Sequence, residues 1–282
     1  MDVREKIIGL LTPSAQLLDA YFVDQRKYLE SHSKTLGLGL GQDAKYFWIF
    51  RDLDYEKWVQ RRDEARILGL HGPSAVDLEL AASHIVRSLD AAGQDGDVLL
   101  YFFYNSTRCE RDTEDVVGWR DLVLLWNLLR QLIKNRSTAE ESLLQTFLKG
   151  ALDFLGDDEL AGLRDRGNPI DVFRSLLCFS KPQDLWETFS RVLGNLKKPE
   201  NSEKQNLTLI IDLNSMTSNW RVLIDNIRQM TTSLMKAYET VRVLLSNVPE
   251  KSLGQRPSEI LLEYDKEREG MYGLQIQSCP RH

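Results

Sequence analysis

The hydrophobic positions change period along the chain, and that change divides it in two. Over residues 1–60 the apolar side chains recur at helical spacing. Leu17, Leu18, Tyr21, Phe22, Tyr28 and Leu29 share one face, which predicts an amphipathic helix that docks against another element. Thr12-Pro13-Ser14 supplies its start, a capping hydroxyl with Pro at the first helical position. Tyr46-Phe47-Trp48-Ile49-Phe50 and Trp58 follow as an aromatic cluster, read as packing of these helices on the rest of the molecule. The intervening Gly37-Leu38-Gly39-Leu40-Gly41 has no preceding strand and no G-x-G-x-x-G spacing, so it reads as a connector.

From residue 66 onward, short apolar runs alternate with amphipathic stretches. Strands are predicted at 67–70, 98–103, 207–212, 241–245 and 260–262, each apolar on both faces as in the middle of a parallel sheet. Helices are predicted at 78–89, 117–133, 143–148, 172–177, 185–193 and 219–238. Polar stretches at 105–115 and 197–206 read as connections. This alternation implies an α/β fold, a parallel sheet covered by helices on both sides. The expected organisation is a helical lead-in over 1–60 and a main domain over 61–282.

Composition narrows the function. Lys and Arg number 36 against 42 Asp and Glu, a net charge of -6, so no basic surface is predicted for a nucleic acid. No apolar run is long enough to cross a bilayer, and the start Met-Asp-Val-Arg-Glu-Lys is not a signal peptide. Cys109, Cys178 and Cys279 are odd in number and widely spaced, which predicts reduced thiols and an intracellular setting, cytoplasmic or nuclear. The four histidines show no metal-ligand spacing, and no nucleophile-elbow G-x-S-x-G accompanies Ser74. His71, in the turn after the first strand, has no evident partner in the sequence. No catalytic set, metal site or cofactor is therefore expected.

The order of landmarks is more specific. A helical lead-in with Trp48-Ile49-Phe50 precedes a strand, a turn at Gly72-Pro73-Ser74-Ala75 and a helix. Then come a strand ending Phe102-Phe103-Tyr104-Asn105, a helical stretch, a strand ending in Asp212, and a strand running into Ser246-Asn247-Val248-Pro249. From about Trp48 to Met271 this resembles the fungal NACHT-type members of the STAND family of P-loop NTPases, particularly their nephrocystin-like N-terminal module. The resemblance implies a three-layer P-loop NTPase-like domain with an N-terminal helical extension. It also implies a following winged-helix or repeat region; none follows Tyr264, which leaves open both a free-standing protein and a longer one.

Set against that family, the phosphate-handling positions are altered. A working phosphate loop needs G-x-x-x-x-G-K-[ST]: glycines for backbone N–H groups around the phosphates, Lys for their charge, a hydroxyl for Mg²⁺. Here the matching turn is about one residue short, and Val76, Asp77 and Leu78 stand where Gly, Lys and Ser/Thr belong. Asp77 brings repulsion where attraction is needed, worth several kcal/mol at close range, and reads instead as an N-cap or first-turn acid. After Asp212 the residues Leu213, Asn214, Ser215 and Met216 supply no second acid, so Asp212 reads as a turn or capping residue. In the tail Ser246-Asn247-Val248-Pro249, Val248 stands where the resemblance implies a γ-phosphate-sensing Arg. The expectation is a catalytically inactive, pseudo-NACHT scaffold that binds protein partners and no cofactor. The alternative is a STAND-type switch that binds ATP or GTP with little hydrolysis.

Overall fold

The structure, a computed structural model, describes residues 2–12, 25–35, 49–50, 52–60, 66–72, 74–93, 97–103, 119–135, 140–196, 205–213, 220–249, 253 and 258–263. Helix α1 (Val3–Leu11) opens the chain, capped by Asp2, whose carboxylate accepts the Arg4 N–H at 3.2 Å. Thr12 closes this helix: its N–H and its hydroxyl both bond Ile8 O, at 2.9 and 2.8 Å. The predicted role of Thr12 in starting a helix is thereby corrected, since its hydroxyl is spent on the turn behind it. Positions 13–24, including Leu17, Leu18, Tyr21 and Phe22, lie outside the described residues, as does the glycine-rich connector at 37–41.

Helices α2 (Gln25–Thr35) and α3 (Leu53–Gln60) lead into strand β1 (Arg66–His71). Helix α4 (Ala75–Ala92) connects to β2 (Val98–Phe103). A helical stretch follows: α5 (Trp119–Asn135), α6 (Glu140–Asp153), α7 (Asp157–Arg164), α8 (Pro169–Phe179) and α9 (Pro182–Gly194). Asn168 and Pro169 start α8 as cap and first residue, the arrangement in which proline's missing N–H costs nothing. Then come β3 (Asn206–Asp212), α10 (Trp220–Leu234), β4 (Thr240–Ser246) and β5 (Glu259–Glu263).

The five strands form one parallel sheet in the order β2-β3-β4-β1-β5. Alternate residues of each strand feed two separate cores, as the period of two requires. Ile67, Leu100, Phe102, Leu209, Ile211, Val243 and Leu245 face α5–α10 and α1. Leu68, Leu70, Phe103, Ile210, Leu244 and Leu262 face α4, with α2 and α3 beside it. Trp58 of α3 is fully buried there and donates its indole N–H to Val243 O at 3.2 Å. The chain thus has a parallel sheet flanked by helices, and its helical lead-in contributes to both cores. Among the described residues no helix is long and apolar enough to cross a membrane.

Gly69 shows how tightly the sheet is covered. A Cβ there would meet Leu253 Cδ1 at 2.7 Å and Val248 Cγ2 at 3.2 Å, so the backbone itself forms the packing surface.

Candidate functional site

Strand order decides which residues meet. The connection leaving β1 turns onto one face as α4, while that leaving β4 turns onto the other, where Val248 and Leu253 pack over Gly69. Adjacent strands whose connections diverge open a crevice at their carboxyl ends, the usual ligand position in open α/β sheets. The ends that meet there are Leu70 and His71 of β1, Ser246 of β4 and Asp212 of β3. Leu70 is paired with Ser246, and Ser246 with Asp212.

Asp212 is 1% exposed, so its carboxylate requires hydrogen bonds to be tolerated. Ser246 donates its hydroxyl to Oδ1 at 2.7 Å, and Asn247 donates its amide to the same oxygen at 2.5 Å. Asn247 also donates to Ala75 O in the first turn of α4, at 3.2 Å. Its backbone has φ of 59°, the left-handed region that Asn tolerates better than most residues. That turn aims the side chain back across the crevice, so one amide ties the acid-ended strand to the helix that follows β1. The Leu213 N–H bonds Ser246 O at 3.0 Å and completes the stitch between β3 and β4.

Val248 lies in the core, 1% exposed, and its backbone is bound at both ends. Its N–H bonds Leu70 O at 3.1 Å, and its carbonyl accepts from His71 Nδ1 at 2.7 Å. A cationic side chain at this position would be driven into apolar packing rather than toward the crevice. His71, which the sequence left without a partner, therefore has one. The carbonyl contact also sets its tautomer, with the proton on Nδ1.

At the turn itself, Ser74 is the N-cap of α4 and accepts the Asp77 N–H at 3.3 Å. Asp77 is a first-turn acid, favourably placed against the helix dipole. The predicted choice between cap and first-turn acid is thus decided by Ser74. Pro73, Asn214, Ser215 and Met216 lie outside the described residues. Gly72 and Ala75 bracket the turn, and Val76 beside it is 50% exposed.

Two groups at this edge had no signal in the sequence. Glu79, one turn into α4, is 1% exposed and accepts a hydrogen bond from the Tyr28 hydroxyl of α2. Burial, then the bond to Glu79 and the charges of Glu79 and Asp212, push the Tyr28 phenol well above the usual tyrosine range, so it stays protonated. Gln25, also buried, accepts the Phe103 N–H at 2.8 Å. Phe103 ends β2 and pairs with Asp212. Arg87 of α4 donates to Leu29 O at 3.2 Å, and the Tyr28 ring stacks on Phe103 with centroids 6.3 Å apart. Helix α2 therefore lies over the carboxyl ends of β2 and β3. Among the described residues, no group of three or more His, Cys, Asp or Glu is placed to hold a metal ion.

The family described as nephrocystin 3, N-terminal, has a model that matches residues 46–160. That span begins before α3, takes in β1, the turn at Gly72, α4 and β2, and ends within α7. No curated protein and no solved structure matches the chain.

Proposed function

We propose that this chain is a catalytically inactive P-loop NTPase-like module of the NACHT/STAND type, serving as an intracellular protein-interaction or signalling scaffold. One observation carries the reading. The carboxylate that would organise Mg²⁺ in an active relative, Asp212, is engaged from within by Ser246 and Asn247, and Asn247 is also bonded to Ala75 O. A nucleotide complex would have to break that bridge between β4 and α4.

Other features support the same reading. The strand order sets β4 between β1 and β3, so the altered phosphate turn, the acid and the altered sensor tail share one crevice. The helix N-terminus at the turn presents Val76 and Asp77, not a cation, and Val248 is spent on packing. At the N-terminal turns of α4 and α10, which follow β1 and β3, Val76 and Val222 are 50% and 40% exposed. Apolar side chains at a crevice rim suit a protein partner better than a polyphosphate.

The test is titration of Mg-ATP and Mg-GTP into the whole chain, with hydrolysis followed in parallel. Neither heat of binding, thermal shift nor turnover is expected. A Kd tighter than about 10 μM, about −7 kcal/mol, overturns the proposal in favour of the nucleotide-binding switch. Asp77→Lys raising nucleotide affinity by about tenfold would point the same way.

A further inference from the structure

Helix α2 covers part of the crevice just described, and the contacts that hold it are of an unusual kind. Among its described side chains, Gln25 and Leu29 are buried, Tyr28 is half-buried, and Arg26, Lys27 and Glu30 are exposed. Its grip on the sheet edge runs through polar groups: Gln25 on the Phe103 N–H and Tyr28 on Glu79, with Arg87 reaching back to Leu29 O. Each of these partners sits at an open strand end or on a helix flank, where water can replace the bond when α2 departs. Helix α1, by contrast, buries Ile7 and Leu11 in the larger core, where water offers no replacement.

We propose that α2 is a releasable cover on the carboxyl edge of β2 and β3, and that the groove beneath it is a docking site for a helix of matching pattern. The occupant must offer Gln and Tyr three residues apart, so that both fall on one face, with Leu directly after the Tyr. The amide satisfies the edge strand at Phe103, the phenol satisfies Glu79, and the Leu enters the core beside α4. A partner helix carrying this Gln-x-x-Tyr-Leu face competes with α2 for the same groups. The chain's own segment QRKYLESHSKT, residues 25–35, is then an autoinhibitory mimic of the partner. This proposal rests on the crevice being a protein site, as argued above.

The experiment uses the full chain with Gln25→Ala and Tyr28→Phe combined, and Tyr28→Phe alone as the milder variant that loses one hydroxyl. Hydrogen exchange is read by segment, and the labelled peptide QRKYLESHSKT is titrated into each protein by fluorescence anisotropy. In the double variant, exchange over 25–35 should rise about tenfold while β3 and β4 keep wild-type protection. Tyr28→Phe should show a smaller rise confined to the same segment. The peptide should bind the double variant about tenfold tighter than the wild type, and a peptide with Gln and Tyr replaced by Ala should not.

Unchanged exchange over 25–35 overturns the cover, as does its rise together with the strands, which would make α2 an integral part of the fold. A peptide that fails to bind an opened variant, or binds wild type equally, overturns the docking site. Mg-ATP titrated into the opened variant separates the two proposals. Nucleotide binding there overturns the inactive reading and leaves the cover standing, whereas a fixed α2 without nucleotide binding overturns only the cover.

Discussion

The first two described helices are close in length and opposite in how they are held. Helix α1 places Ile7 and Leu11 in the core, with Val3, Ile8 and Leu10 packed beside them, against α6, α7 and α8. Fully burying an Ile or Leu side chain is worth about 1.5–3 kcal/mol. Helix α2 places Leu29 in the smaller core and otherwise meets the sheet through Gln25 and Tyr28. A hydrogen bond that exchanges with water contributes about 1 kcal/mol net. One helix is thus part of the structure that folds, while the other is attached by contacts of the strength that ligands break. The difference lies in where each docks: α1 meets a helical layer that offers only carbon, and α2 meets strand ends that offer N–H groups and carboxylates.

The largest test of this contrast is Leu11→Ala, which should cost about 2–5 kcal/mol in urea denaturation through the lost transfer energy and the cavity left behind. Gln25→Ala should cost about 1 kcal/mol on the same measurement. Equal costs would erase the comparison.

Next in size is Asp212→Ala, which strands the Ser246 hydroxyl and the Asn247 amide in a buried position. A loss of about 1–3 kcal/mol per stranded group is expected in thermal or chemical unfolding. Faster exchange of the Asn247 and Val248 amides should accompany it. A neutral result would show that the internal bridge is incidental.

Smaller again is Ser74→Ala, expected to cost about 1 kcal/mol through loss of the α4 cap. The effect should appear as fraying at Asp77, with α2 unaffected.

The smallest effect is alkaline. Burial first of all pushes the Tyr55 phenol up to about 12, with the Arg242 charge opposing, and raises Tyr28 as well. The unfolded chain releases these protons near the ordinary value of about 10, before the folded chain does. The contribution is therefore complete below pH 10 and is lost as pH rises above it toward the folded values. Denaturation midpoints measured from pH 9 to 12 should fall, and Tyr55→Phe should flatten that fall. Tyr28→Phe should instead change the exchange of 25–35 with little effect on global unfolding.

Much of this fold was legible because its strands are apolar on both faces. The five predicted strands appear within about a residue of their expected ends, and the helices after β1, β2 and β3 lie where their period placed them. Helix α1 was not read, although Asp2 and the spacing of Val3, Ile7, Ile8 and Leu11 carried the signal. Thr12-Pro13-Ser14 drew the helix start to itself, and the hydroxyl of Thr12 turned out to close the preceding helix. Gln25 and Glu79 carried no signal at all, because a buried polar residue is indistinguishable from an exposed one until its partner is placed.

What the sequence determined by itself was local: the period of the strands and helices, the acid at 77 and the valine at 248 in place of phosphate-handling groups. These follow from side-chain chemistry and spacing along a few turns of chain. What the tertiary structure decided was the meeting of residues far apart, Asp212 with Asn247, Asn247 with Ala75, and Tyr28 with Glu79. Those contacts depend on β4 lying between β1 and β3 and on α2 crossing the sheet edge. No local period encodes either, because strand order is chosen by how whole faces bury against one another.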